Sequence, residues 1–250
     1  LEHSAERLPQ KTALICGNTR LSFAEINDAA NSLAHTLRAS GVARHDRVAI
    51  LAENTPEAVI AVWAALKADA VFLVINPTAK AEKIAYILNN CRTSALVTHA
   101  SKWPFISAAI AGVPSLRTVI MAGTMQKRSE PNCSCGPALL EWREALAHGL
   151  NTRPETRAID IDLAALIYTS GTTGNPKGVM LTHRNMVSAS TSITTYLENR
   201  QEDIILSVLP LSFDYGLYQI IMAAQFGGTV VLERSFTYPY QTITRLKEER

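Results

Sequence analysis

Five short apolar runs, at 47–52, 71–75, 94–98, 117–121 and 163–167, are separated by helix-forming segments, and this alternation restricts the fold more than any other feature. Strands that each lead into a helix before the next strand pair in parallel, with right-handed crossovers and helices on both faces. We therefore expect an α/β protein, a layered α/β/α arrangement with mostly parallel sheets. Such sheets bind ligands beyond the carboxyl ends of their strands.

Local signals mark many of the elements. Residues 13–16 and 20–21 flank Gly17 and Asn18 and read as a hairpin. Ser22 and Glu25 form a capping box, followed by Phe23, Ile26, Ala30, Leu33 and Leu37 at helical spacing and by a stop at Gly41. Thr55 is an N-cap and Pro56 a first helical residue. Further helices are expected over 80–89, 104–111, 139–148, 183–198 and 217–225 and from Tyr240 onward, with strands at 204–208 and 229–232. Residues 122–136 and 209–216 read as loops.

The chain has 250 residues, 47% of them apolar, enough for a sizeable core. Its net charge of +2 and lack of a basic cluster give no reason to expect nucleic acid as a partner. The most apolar long run, 58–75, carries Lys67 and Asp69 at its middle and reads as helix then strand, so no membrane span is expected. Of four cysteines, Cys133 and Cys135 lie in a turn-rich segment without a second ligand pair, and read as loop thiols in a reducing cytoplasm. The chain begins without methionine and ends inside a helix-like run, 244–250, from which a fragment of a longer protein is expected.

Residues 168–178 read YTSGTTGNPKG, between apolar runs that look like two buried strands. Glycines at 171, 174 and 178 permit positive φ and close approach to a ligand, and Thr169, Ser170, Thr172 and Thr173 add donors, a composition suited to a polyphosphate. Lys177 supplies positive charge, and Pro176 restricts its departure from the loop. The GxxxxGK(S/T) pattern fails because Gly178 follows the lysine, and GxGxxG is absent. An ordinary glycine-rich surface loop is the alternative.

The longer stretch YTSGTTGNPKGVMLTHRN resembles the phosphate-loop signature of the AMP-forming adenylate ligases: acyl-CoA synthetases, adenylation domains of peptide synthetases, and luciferases. Residues 21–26 (LSFAEI) are similar to the family's LSYxEL segment, and 66–77 (LKADAVFLVINP) to its LKAGAxYxPLDP segment. The resemblance implies an incomplete N-terminal large domain over 1–250, with 46–199 as one α/β subdomain and 1–45 with 200–250 as part of a second. It implies that Thr169, Ser170, Gly171, Thr172, Thr173, Gly174 and Lys177 hold the β- and γ-phosphates of ATP, Thr169 and Lys177 being the catalytic pair. That loop is expected to be weakly ordered without ATP. Thr182 is expected to N-cap a helix, with His183 or Asn185 bonding to loop backbone as an organiser.

Residues 209–216 (LPLSFDYG) match the segment that carries one wall of the family's carboxylate pocket, so Phe213, Asp214, Tyr215 and Gly216 are the pocket candidates. Acyl-CoA synthetases commonly show PLFHxxG there, and Phe213 cannot replace the histidine's hydrogen bond. Phe213 and Asp214 instead resemble the FDxS of amino-acid-activating domains, whose aspartate pairs with an α-ammonium group. An inward Asp214 favours an amino acid, a solvent-facing one a plain acyl chain, and capping of the following helix is the remaining possibility. Asp69 and Val74, where the family has Gly and Pro, read as packing variations, and Lys67 as a solvated lysine.

The function the resemblance implies is ATP-dependent activation of a carboxylic acid as its acyl-adenylate, with pyrophosphate release and then thioester formation with coenzyme A. The alternatives are an amino-acid adenylation domain loading a carrier protein, and a non-catalytic nucleotide-binding fragment. The family's magnesium-binding glutamate, ribose-binding aspartate and small C-terminal domain with its lysine have no counterpart before Arg250. No metal ligand is therefore expected within these residues, and the fragment alone is expected to be inactive. Missing strands should leave apolar surface or an unpaired sheet edge, through which a homodimer could form.

Overall fold

The computed structural model describes residues 1–124, 136–169, 175–234, 236 and 239–249. Cys133 and Cys135 lie outside the described residues. After helix α1 (Glu2–Arg7), strands β1 (Thr12–Cys16) and β2 (Thr19–Ser22) form the expected hairpin, and α2 (Phe23–Ala39) follows at once. The Ser22 amide donates to Glu25 Oε2 at 2.7 Å and the Glu25 amide to Ser22 Oγ at 3.2 Å, which completes the capping box. Next come β3 (Arg47–Leu51), α3 (Pro56–Lys67), β4 (Val71–Val74), α4 (Ala81–Asn90), β5 (Thr93–His99), α5 (Trp103–Ala111) and β6 (Thr118–Ala122). The rest of the chain forms β7 (Ala138–Glu141), α6 (Trp142–His148), β8 (Leu163–Thr169), β9 (Lys177–Thr182), α7 (His183–Tyr196), β10 (Ile204–Ser207), α8 (Asp214–Phe226), β11 (Thr229–Leu232) and α9 (Pro239–Glu248).

These strands make a seven-stranded sheet in the order β7-β6-β5-β3-β4-β8-β9 and a four-stranded sheet in the order β10-β11-β1-β2. All pairs are parallel except β1 with β2 and β8 with β9. Alternate residues of the larger sheet enter two cores. Val48, Ile50, Phe72, Ala95, Val97 and Ile120 face a core shared with α2, α3, α8 and the smaller sheet. Ala49, Leu51, Leu73, Leu96, Val119 and Met121 face the other side, under α4 and α5. The result is the layered arrangement expected from the alternation of strand and helix. Each large apolar side chain so buried contributes on the order of 1.5–3 kcal/mol.

Several expectations are corrected. The helix expected over 139–148 begins only at Trp142, because 138–141 adds an edge strand parallel to β6. A glutamate N-cap, Glu141 boxed with Glu144, hid that boundary from a search for Ser, Thr, Asp or Asn. Strand β9 is the exposed edge of the larger sheet, with Met180 65% exposed, so the segment after β8 does not lie between two buried strands. Val187, Tyr196 and Leu197 on and beside α7 are exposed too.

Lys67 is not solvated: its side chain is 7% exposed and its Nζ lies 2.6 Å from Glu2 Oε1. Burial lowers its pKa, an effect that Glu2 opposes. Asp69 is more than a packing variant. It holds the left-handed backbone (φ 60°) that the family's glycine takes freely, and its carboxylate accepts from Arg38 Nη2 at 3.2 Å, from the Arg157 amide at 3.0 Å and from Thr156 Oγ1. It thereby ties α2 to the segment that leads into β8.

The Asp69→Ala variant should lose about 2 kcal/mol of stability in urea denaturation, from these bonds and from a left-handed alanine. Asp69→Gly should lose less, since glycine removes the backbone penalty. Equal losses in the two would show that the backbone conformation carries no cost.

Candidate functional site

Strand β8 runs parallel to β4 and carries Thr169 to the carboxyl edge of the larger sheet; β9 returns antiparallel, with Thr169 opposite Lys177 and Tyr168 opposite Gly178. The hairpin therefore brings the two candidate catalytic residues together at its mouth, and both side chains are exposed. Ser170, Gly171, Thr172, Thr173 and Gly174 lie outside the described residues, and the weak order expected of the loop concerns those same positions.

The register beneath the loop has a specific cause. A Cβ at Gly178 would meet the Tyr168 ring at 3.2 Å, so glycine lets the ring lie against the neighbouring strand. The Tyr168 hydroxyl donates to Asn90 Oδ1 at 2.6 Å, which joins the strand to the end of α4. Burial first, and then the Cys91 thiol, push the Tyr168 pKa above the usual tyrosine value, so the hydroxyl keeps its proton. Burial likewise raises the pKa of the Cys91 thiol, which contacts Thr93 Oγ1 at 3.0 Å.

The other candidate group belongs to α8. That helix starts at Asp214, three residues before the expected Leu217, so Asp214, Tyr215 and Gly216 form its first turn and Phe213 its N-cap. Phe213 is 54% and Tyr215 67% exposed. Asp214 is exposed as well, and its Oδ1 accepts from the Tyr215 amide at 2.8 Å. Gly216 is buried: a Cβ there would lie 2.8 Å from the Leu209 carbonyl oxygen and nearer still to that of Pro210. Helix α8 can thus approach the turn before it only because residue 216 has no side chain.

Thr182 caps α7 as expected, but its surroundings differ from the expectation. Thr182 pairs with Leu163, at the opposite end of the hairpin from Thr169 and Lys177. Asn185 returns its Oδ1 to the Thr182 amide at 3.0 Å and Thr182 Oγ1 accepts from the Asn185 amide at 3.1 Å, while the His183 amide bonds to Asp162 O. A strand of six residues separates His183 and Asn185 from the loop, whose residues 170–174 lie outside the described residues. Burial lowers the His183 pKa, against the opposing charges of Asp162 and Asp69.

The carboxyl ends of both sheets line a cleft of about 720 Å³. Glu53 follows β3, His99 ends β5, Gly123 follows β6, Cys16 ends β1 and Arg234 follows β11. These residues escaped sequence reasoning because they meet only through the packing of distant strands. Among the described residues, no group of three or more His, Cys, Asp or Glu is placed to hold a metal ion. No helix there is long and apolar enough to cross a membrane.

The AMP-binding enzyme family matches residues 1–249. Over 251 aligned residues the chain is 34% identical to the phosphinothricin tripeptide synthetase PhsC of Streptomyces viridochromogenes, covering all of this chain and 21% of that one. The anthranilate CoA ligase AuaEII, solved with anthranoyl-AMP, superposes with a TM-score of 0.90 at 24% identity over 98% of this chain and 47% of that one. The N-terminal domain of FACL13 from Mycobacterium tuberculosis, solved with an inhibitor, gives 0.82 at 27% identity over 98% and 59%. The chain thus spans about half the length of these solved chains and a fifth of that synthetase.

Gly216→Ala should push the Leu209 and Pro210 carbonyls away from α8 and cost about 1–3 kcal/mol by overpacking. Thermal or urea unfolding would measure it; a variant as stable as the parent would show that the turn yields without strain.

Proposed function

The chain belongs to the AMP-binding enzyme family, and from that premise we propose that the protein containing it activates a carboxylic acid with ATP and passes the acyl group to a thiol. The observation that carries this reading is the placement of Thr169 opposite Lys177 at the mouth of the β8–β9 hairpin, on the carboxyl edge of a parallel sheet. Thr169, Ser170, Gly171, Thr172, Thr173, Gly174 and Lys177 bind the β- and γ-phosphates. A carboxylate oxygen of the acid attacks the α-phosphorus, the bridging bond to the β-phosphate breaks, and pyrophosphate leaves with the electron pair. Lys177 stabilises that charge and the loop fixes the geometry, so the catalytic contribution is positioning and electrostatics. Magnesium, when bound, neutralises the triphosphate, and no ligand set for it is assigned to the described residues.

Phe213 and the first turn of α8 form the acid side of the site. In the second half-reaction the thiol of coenzyme A attacks the acyl carbonyl and AMP leaves, giving the thioester. The exposed Asp214, whose carboxylate accepts from the local Tyr215 amide, favours a plain acyl substrate. A second reading, an amino acid loaded onto a carrier protein, is favoured by the Phe213–Asp214 pair and by the 34% identity to a tripeptide synthetase.

ATP–pyrophosphate exchange on the full-length protein tests both. Exchange stimulated by aryl or fatty acids and thioester formed with coenzyme A are expected; stimulation by amino acids alone would replace the first reading with the second. Lys177→Ala should lower exchange by roughly 10²–10³-fold, and unaltered exchange would remove the loop from the mechanism.

A further inference from the structure

We propose that Asn54 positions the acid-binding segment, an inference that rests on the adenylation reading above. Asn54 sits in the turn between β3 and α3, and only 3% of it is exposed. Its side-chain partners all lie just beyond the carboxyl ends of β10 and β11 of the smaller sheet. Nδ2 donates to the Leu209 and Glu233 carbonyls, each at 2.9 Å, and Oδ1 accepts from the Leu211 amide at 3.0 Å. Two carbonyls facing the nitrogen and one amide facing the oxygen leave a single orientation for the group.

The position of these bonds matters. The last ladder bond between β10 and β11 runs from the Glu233 amide to the Ser207 carbonyl at 2.9 Å. Beyond it the two chains part, and Leu209 O, Leu211 N and Glu233 O, which are buried or partly buried, have no strand partner. The Asn54 amide takes the place of the missing peptide group. Strand β3 of the larger sheet is thereby joined to the carboxyl ends of β10 and β11. On its other side the same turn is pressed by Gly216, and Phe213 N donates to Pro210 O at 3.0 Å. Residues 209–213 are therefore clamped between Asn54 and α8. Phe213 and Asp214 project from the end of that clamp, so their placement relative to the larger sheet, which carries Thr169 and Lys177, is set through Asn54.

Only a planar group with two donors and an acceptor meets this requirement. Aspartate would set negative charge against two carbonyl oxygens, glutamine carries the same amide one methylene too far, and serine keeps one donor. Asn54 does not line the cleft between the sheets, so its effect should reach the acid only through residues 209–213 and spare ATP.

The experiment uses the full-length protein with Asn54→Ser as the mild variant and Asn54→Asp as the severe one. Amide hydrogen exchange over 209–216 should rise about ten-fold or more in Asn54→Ser, with residues 163–169 unchanged, since two of the three side-chain bonds are lost. In pyrophosphate exchange the KM for the acid should rise by a similar factor while the KM for ATP stays within about two-fold. Unchanged amide exchange over 209–216 overturns the clamp. Faster amide exchange with an unmoved acid KM, or with both KM values raised alike, reduces Asn54 to a purely structural residue and overturns its role toward the acid. A parent protein without acid-dependent exchange sinks the adenylation reading itself and the acid role with it, while hydrogen exchange still judges the clamp. If Asn54→Asp fails to fold, the serine variant decides.

Discussion

Helix α3 is buried on nearly every side, and the rest of the structure is arranged by that fact. Ala58, Ala61, Val62, Ala64 and Ala65 are almost wholly shielded, as are Phe23, Ala30, Leu33, Ala34 and Leu37 on α2. Alanines at these positions let the two helices approach closely while each covers a sheet, so one core serves both sheets. A helix in this position cannot shift without disturbing both layers. The turn that starts it is tied to α3 by the Thr55 cap, and from this turn Asn54 reaches the ends of β10 and β11.

What was legible in the sequence was local. The hairpin about Gly17, the Ser22–Glu25 box and the Thr55–Pro56 helix start each depend on groups within a few residues of one another, and each is present. The layered parallel architecture was legible because alternation of strand and helix leaves few other topologies. The edge status of β9 was not, since Val179, Met180 and Leu181 have the composition of a buried strand and only the strand order tells them apart. Strand β7 was hidden by its length of four residues and by a glutamate cap.

At the candidate site the same division holds. Thr169 and Lys177 stand at either end of a single loop, so their meeting across a hairpin was within reach of sequence reasoning. The Asn54 bonds span 155 to 179 residues and carry no local signal. Asp69 gave a signal that was misread. Its departure from the family's glycine pointed to a left-handed backbone, and the carboxylate at that position bonds to Arg38 and Arg157 in a way that glycine cannot.

The hairpin register shows how far the site depends on residues that take no part in the chemistry. A strand slipped by one residue turns every side chain to the opposite face, so a one-residue slip of β9 would carry Lys177 away from Thr169. The apolar pattern of β9 opposes such a slip only weakly, because the strand is an exposed edge. Resistance comes instead from Tyr168, whose ring lies close against Gly178, where a Cβ would crowd it at 3.2 Å, and whose hydroxyl is held by Asn90. Burial keeps that hydroxyl protonated and therefore a donor across the ordinary pH range. The glycine that ends the loop motif thus has a task beyond conformational freedom: it admits the ring that keeps the lysine in place.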